Sequence, residues 1–111
     1  MSERERRIGL NEAVFREVNE RIEQVADAFD LGGQPLDLVC ECADASCVQR
    51  ISLPRQEYES LRSEPRFFVV YPGHVDESVE RIVDEKRSYV VVEKREGEPA
   101  QVAELADPRS D

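Results

Sequence analysis

All three cysteines of this 111-residue chain lie in Val39-Cys40-Glu41-Cys42-Ala43-Asp44-Ala45-Ser46-Cys47. The chain also has a single histidine, His74, which follows Pro72-Gly73. Three thiolates and one imidazole form a complete tetrahedral ligand set for zinc. The sequence therefore predicts a zinc site made by Cys40, Cys42, Cys47 and His74.

Local geometry favours convergence of these ligands. Cys40 and Cys42 are two residues apart, so both point to the same side of an extended strand. Residues 43–46 can form a tight turn that brings Cys47 back towards them. If His74 does not serve as the fourth ligand, a carboxylate of Glu41 or Asp44 is the alternative. Four protein ligands leave no position for water, so the predicted zinc is structural rather than hydrolytic.

Three other uses of these residues are less favoured. Small iron–sulfur proteins that begin with C-x-C also use three cysteines and one histidine, but their third cysteine lies further along and their histidine closer to it. A redox sensor needs an exposed thiolate of low pKa, which Glu41 and Asp44 oppose. Cys47 and His74 as nucleophile and base are a weaker interpretation than ligation, and no other catalytic motif is present. We therefore expect a protein that is not an enzyme.

The apolar pattern near the N-terminus predicts a long helix over about residues 10–29, capped by Asn11 and ended by Gly32-Gly33. Its apolar stripe follows a 3-4-3-4 spacing, which is typical of one helix face. We expect the stripe to pack on the protein's own sheet, and the alternative is binding to a partner protein or to a second copy. The stripe consists of Phe15, Val18, Ile22, Val25 and Phe29, and the opposite, charged face carries Arg16, Glu20, Glu23 and Asp27.

The remaining segments predict short strands and one short helix. Residues 67–71 form a continuous apolar run and read as the central strand. Residues 75–86 fit either a helix or the first arm of a hairpin, and the hairpin is favoured because the strand at 89–93 needs a neighbour. Strands are also predicted at 35–42 and 50–53, and a short helix then runs to about residue 62, capped by Ser52 and with Pro54 in its first turn. The predicted fold is α+β: a long N-terminal helix on a small, mostly antiparallel sheet with a zinc knuckle.

Composition limits the domain count and the kinds of partner. We expect one domain over residues 10–94, with a flexible charged segment at 1–9 and a polar, disordered tail at 95–111. The formal net charge is -10, with 25 acidic and 15 basic residues. This balance argues against nucleic acid and against anionic membrane surfaces as partners. No apolar run suggests a leader or a membrane span, so we expect a cytoplasmic protein, where clustered cysteines favour metal binding over disulfides.

Two resemblances bear on these expectations. The C-x-C-x4-C spacing resembles the small zinc cap that follows the SET domain of lysine methyltransferases, over about eight residues and in geometry alone. Most of the chain resembles a group of short, acidic, uncharacterised actinobacterial proteins, for which the resemblance implies no activity. The second resemblance lies in residues 11–22, Cys40-Glu41-Cys42 with Cys47, Glu57-Tyr58, residues 69–74, residues 89–94 and residues 107–110.

These observations together predict a small, non-enzymatic, zinc-stabilised domain. We expect it to act as a protein-binding or regulatory adaptor module, through a partner not identified by the sequence or through self-association of the N-terminal helix. The alternative from a different class is a switch that responds to redox state or to metal through the same cysteines.

Overall fold

The N-terminal helix α1 spans Glu3–Ala28 in the computed structural model, which describes residues 3–28, 34–42 and 44–109 apart from the side chains of residues 27 and 98. Its first turn carries Glu3 and Glu5, and carboxylates there interact favourably with the positive end of the helix dipole. The predicted start near residue 10 is too late, so Asn11 lies inside the helix and is not its N-cap. Residues 3–9, predicted to be flexible, form the first turns of α1. Phe29 and the predicted stop at Gly32-Gly33 lie outside the described residues.

The first sheet is a pair of short antiparallel strands, β1 (Leu36–Val39) and β2 (Arg50–Leu53). Alternate residues face the core, and the buried residues of β1 lie opposite those of β2. Helix α2 (Arg55–Arg62) follows directly, with Pro54 at its N-cap position and no side-chain cap. Ser52 therefore belongs to β2 and does not cap α2 as predicted.

The second sheet contains β3 (Phe67–Val70), β4 (Glu80–Glu85) and β5 (Val90–Lys94) in the order β3-β5-β4, with both pairings antiparallel. The favoured hairpin is confirmed: β4 and β5 are joined by a turn in which the Lys86 amide donates to the Tyr89 carbonyl at 2.9 Å. The prediction that residues 67–71 form the central strand is wrong. Because β4 pairs with its sequence neighbour β5, β5 takes the centre and β3 lies at the edge.

The chain after β1 covers the open edge of β3. The Glu41 amide donates to the Val69 carbonyl at 2.9 Å, and the Val69 amide donates to the Glu41 carboxylate at 3.0 Å. An open strand edge otherwise exposes unpaired backbone groups. This contact joins the two sheets and places Cys40 and Cys42 beside the end of β3.

A third helix, α3 (Glu98–Leu105), forms where the sequence predicted a disordered tail or a loose turn. It packs against α1 at Gly9, where an added Cβ would lie 3.2 Å from the Pro99 Cα and 3.1 Å from the Val102 Cβ. Glycine allows this close approach of the two helices. Ala100 and Ala103 complete the contact as buried small residues.

The face of α1 that packs on the sheets is largely charged, contrary to the prediction, although Ile22 of the predicted stripe packs against the apolar core. Val14, Val18 and Val25 are 59%, 38% and 56% exposed. Arg16, by contrast, is completely buried. Burial of charges is tolerated when each has a partner. We call the buried polar residues between α1 and the rest of the protein the charged seam: Glu12, Arg16, Asn19, Glu20 and Glu23 of α1 with Glu41, Arg62, Glu80, Lys94 and Asp107.

Specific hydrogen bonds and ion pairs provide partners for the buried charges of the charged seam. Lys94 bonds to both Glu12 and Glu80. Arg62 bonds to Glu20 at 2.6 Å and also to Asp107. The Lys94–Glu80 bond joins the neighbouring strands β5 and β4, and the other three bonds link residues far apart in the sequence. The charged seam therefore ties α1 to the sheets and to α2, and ties α2 to the C-terminal segment. The apolar core lies beneath it and includes Leu38, Ile51, Tyr58, Phe68, Val69 and Val92.

Candidate metal centre

The structure brings the four predicted ligands together. Cys40 and Cys42 follow β1 and are buried. Cys47 lies further along the same loop, His74 lies on the loop after β3, and both are half-buried. One ligand atom from each of these residues lies within 4.8 Å of all the others. We call these four residues the metal cluster.

Two sulfur–nitrogen distances within the metal cluster match those around a single tetrahedral ion. Sulfur at about 2.3 Å and nitrogen at about 2.0 Å from zinc lie about 3.5 Å apart in a tetrahedron. The His74 Nδ1 atom lies 3.6 Å from the Cys40 Sγ atom and 3.6 Å from the Cys47 Sγ atom. The Nδ1 atom of His74 therefore lies next to these two sulfurs, and the donor set could hold a metal ion.

A side-chain turn returns Cys47 to the metal cluster. The Asp44 carboxylate accepts hydrogen bonds from the Ser46 amide at 2.9 Å and from the Ser46 hydroxyl at 2.6 Å. The Cys47 amide donates to the Asp44 carbonyl at 3.0 Å. Aspartate often closes turns in this way, and the bonds from Ser46 lower the pKa of Asp44. The tight turn expected before Cys47 is present over residues 44–47.

A second turn orients His74. The His74 amide donates to the Tyr71 carbonyl at 3.0 Å, and Gly73 adopts a φ of 89° between them. This backbone conformation favours glycine because a side chain is strained there. The imidazole also contacts the Tyr71 ring, with centroids 5.4 Å apart. Turn and ring together hold the imidazole beside the thiols.

Burial sets the electrostatics of the thiols. Burial raises the pKa of Cys40 and of Cys42 above the ordinary thiol value. The Tyr71 amide donates to the Cys40 Sγ atom at 3.1 Å, which partly opposes that rise. A cation bound between the sulfurs would stabilise their thiolate form, since metal ligation deprotonates thiols.

The alternative carboxylate ligands are engaged elsewhere. The Glu41 side chain is fully buried and accepts bonds from Asn19 at 2.7 Å and from the Val69 amide. The Asp44 carboxylate closes its own turn. Neither carboxylate belongs to the group of ligand atoms that lie within 4.8 Å of one another.

The sequence pattern did not identify Asn19, which holds the strand residue next to Cys40 in place. Asn19 of α1 donates to the Val39 carbonyl at 2.9 Å and accepts from the Val39 amide at 2.8 Å. The Asn19 side chain therefore makes with the Val39 backbone the two hydrogen bonds that a neighbouring strand would otherwise make, and Val39 directly precedes Cys40. The sequence shows Asn19 only as an amide side chain inside a predicted helix. Its partners, Val39 and Glu41, lie twenty or more residues away and could not be assigned from the local pattern.

The fold and the cluster define a small α+β protein with a Cys3His set that could hold a metal ion. No family model, curated protein or solved structure matches this chain. None of the helices in the described part of the chain combines the length and the apolar character needed to cross a membrane.

Proposed function

We propose that this chain is a non-enzymatic, zinc-stabilised protein-binding module with a regulatory or adaptor role in the cytoplasm. The observation that carries the metal part is the convergence of four ligand atoms within 4.8 Å. The protein-binding part is supported by the exposed apolar side chains on α1. The cytoplasmic part is supported by three thiols that a reducing compartment keeps available for metal.

Zinc is the ion that best fits the donors. Three thiolates with one imidazole are a common structural zinc set. A [2Fe–2S] cluster divides its four ligands between two irons, whereas all four ligand atoms here lie within reach of one ion. The zinc would be structural, because four protein ligands leave no open position for a reacting water.

The role of zinc follows from the elements that its ligands join. Cys40 and Cys42 follow β1 of the first sheet, and His74 follows β3 of the second. One ion therefore links the two sheets at the point where Glu41 pairs with Val69. In a domain with a small core, free energy of metal binding becomes free energy of folding.

A switch that responds to redox state is the less supported function. Reactive cysteines are exposed and have a lowered pKa. Cys40 and Cys42 are buried, and burial raises the pKa of both. Only Cys47 is partly accessible.

Metal analysis of the purified chain tests the proposal. We expect about one zinc per chain in the wild type and in Asp44→Asn, since the amide oxygen can still close the turn and Asp44 is no ligand. We expect Cys42→Ser and His74→Ala to lose most of the zinc. A colourless, metal-free wild type, prepared both with and without air, would overturn the metal part. Visible absorbance with stoichiometric iron would replace zinc by an iron–sulfur cluster.

A further inference from the structure

The outer face of α1 is apolar and is not covered within the described residues. Leu10, Val14 and Val25 are each more than half exposed, and Val18 is 38% exposed. Adjoining them, Phe15, Ile22 and Ala26 are half-buried, and Ile22 and Ala26 also pack against the protein's own core. We call these seven residues the outer face. A contiguous exposed apolar surface of this kind marks an interaction site.

The outer face is symmetric along the helix. Its apolar residues, apart from Leu10, occur at equal distances on both sides of Glu20. A two-fold interface places residue i opposite residue j and residue j opposite residue i. We propose that α1 pairs antiparallel with α1 of a second copy of this chain, crossing level with residue 20. The contacts across the pair are Val14 with Ala26, Phe15 with Val25, and Val18 with Ile22, each made twice.

A groove beside α1 receives the largest of these side chains. The wall on α1 is apolar and consists of Ile22, Val25 and Ala26. The other wall carries the apolar Pro35 and Leu36 together with the polar Gln34, Asp37 and Arg50. The two-fold operation keeps Phe15 on the side of the helix that bears this groove. The ring of Phe15 from each copy therefore enters the groove of the other. An aromatic side chain in a pocket is the usual anchor of an interface.

The opposite flank of the outer face is complementary in charge. Glu17 and Arg21 have side chains that are 60% and 75% exposed, and they form a pair within the helix at 3.6 Å. The antiparallel crossing brings Arg21 of one copy within one turn of Glu17 of the other. Both flanks of the interface are thus satisfied by a second copy of the same helix.

The interface is small, so the dimer is weak. A standard interface uses about 20 to 30 residues from each partner, and α1 with its groove offers fewer than that. Each copy also carries a formal net charge of -10. Salt screens the repulsion between copies, so the dimer is stronger at high ionic strength. This pairing rests on the protein-binding part of the proposed function and is independent of its metal part.

Sedimentation velocity of the full chain over a range of concentrations tests the pairing. We expect a dissociation constant of roughly 10 to 100 μM for the wild type, in the range of small transient interfaces. Val18→Glu should weaken it at least about thirtyfold, because two carboxylates would be buried opposite Ile22. Leu105→Glu adds the same charge at an 86% exposed position on α3 and should leave the affinity unchanged. A monomer at all concentrations up to about 1 mM, or a dimer that Val18→Glu does not weaken, overturns the proposal. Far-UV circular dichroism and zinc content of Val18→Glu separate loss of pairing from loss of folding or of metal.

A charge exchange tests the antiparallel arrangement. Glu17→Arg alone and Arg21→Glu alone each place like charges across the pair, so each should weaken its own dimer by roughly fivefold. A mixture of the two variants restores both pairs across the interface while the pair within each helix stays broken. With equal amounts of the two variants, native mass spectrometry should therefore show the mixed dimer at well above half of all dimers, which is its statistical proportion. Mixed dimers at the statistical proportion would overturn the antiparallel crossing.

Discussion

The metal cluster lies between the two sheets, whereas the charged seam joins α1 to the sheets, to α2 and to the C-terminal segment. The metal cluster uses four residues of rare types, three of them within eight positions of the chain. The charged seam uses common charged residues that meet across 82 positions in the bond from Lys94 to Glu12. A bound metal ion would close the small core at one point, and paired charges close it along α1. Polar contacts that hold a fold together can therefore be predicted from a sequence only when the residues that make them are rare and close together in the chain.

Removal of the metal should have the largest effect and tests whether the metal cluster is the stronger of the two. Apparent metal-binding free energies of structural zinc sites are about 10–16 kcal/mol in peptides at neutral pH, which exceeds the usual stability of a small domain. We expect a strong chelator to abolish the cooperative melting transition and most strand signal in circular dichroism. An unchanged melting temperature after complete loss of metal would show that the charged seam and the core suffice.

Breaking the charged seam at Arg16 should have the next largest effect. Its guanidinium donates to the carbonyls of Pro65 and Ala103 at 2.5 Å and lies 4.5 Å from the centroid of the Phe68 ring. Arg16→Met would leave those carbonyls unsatisfied, with an expected loss of about 3 to 4 kcal/mol. Denaturant unfolding at low protein concentration measures this. Arg21→Met, at a 75% exposed position of the same helix, is the matched control and should change stability by less than about 0.5 kcal/mol. Equal losses in the two variants would contradict the inward orientation of the charged face.

The pH dependence of the charged seam has a definite sign. Burial raises the pKa of Glu12 from 4.5 to about 8, opposed by Lys94 and supported by Glu80 and Glu41. The folded protein therefore holds a proton that the unfolded chain has lost, so this contribution is complete below about pH 4.5 and decreases as pH rises towards 8. We expect the stability of Glu12→Gln relative to the wild type to increase by about 2 to 3 kcal/mol between pH 5 and pH 8.5.

Comparing the two proteins at each pH removes the opposing effect of the metal, which binds more weakly in acid because its ligands become protonated. Denaturant unfolding of metal-loaded wild type and Glu12→Gln in matched buffers provides the measurement. A stability difference that is independent of pH, or that changes in the opposite direction, would contradict the assignment of the raised pKa to Glu12.

The smallest effect is expected on the outer face, which neither region uses. Val14→Ala should change monomer stability by less than about 0.5 kcal/mol, since Val14 is 59% exposed. The same substitution at Val69, which is completely buried, should cost about 2 to 3 kcal/mol through the lost methyl groups and the cavity they leave. Melting of both variants at low concentration compares them. A large loss at Val14 would show that the outer face is covered in the monomer.

Much of the fold was predictable because local signals sufficed. The α+β class, the strands at Arg50–Leu53 and Phe67–Val70 and the hairpin of β4 with β5 follow from apolar runs between turn residues. The close approach of the four ligand residues was predictable from their types and spacing. Their occupation by zinc stays a prediction.

The failures share one physical origin. β3 lies at the sheet edge because β4 pairs with β5. Helix α3 is ordered partly by its close approach to Gly9 of α1, which is about ninety residues away in the chain. The orientation of α1 was wrong because the apolar stripe is the usual inward face of an amphipathic helix. Nothing within the helix indicates that its charged residues have buried partners.

The sequence by itself determined most of the helices and strands and the candidate ligand set, because helix and strand periodicity and thiol chemistry depend on residues close together in the chain. Only the tertiary structure decided which face of α1 turns inward. A buried charge is costly alone and tolerable beside an opposite charge, and the partners of Glu12 and Glu20 come from β5 and α2. Arg16 instead donates to the carbonyls of Pro65, after α2, and of Ala103 in α3. Their proximity exists only once the chain has folded, and it is this proximity that leaves the apolar face of α1 outside.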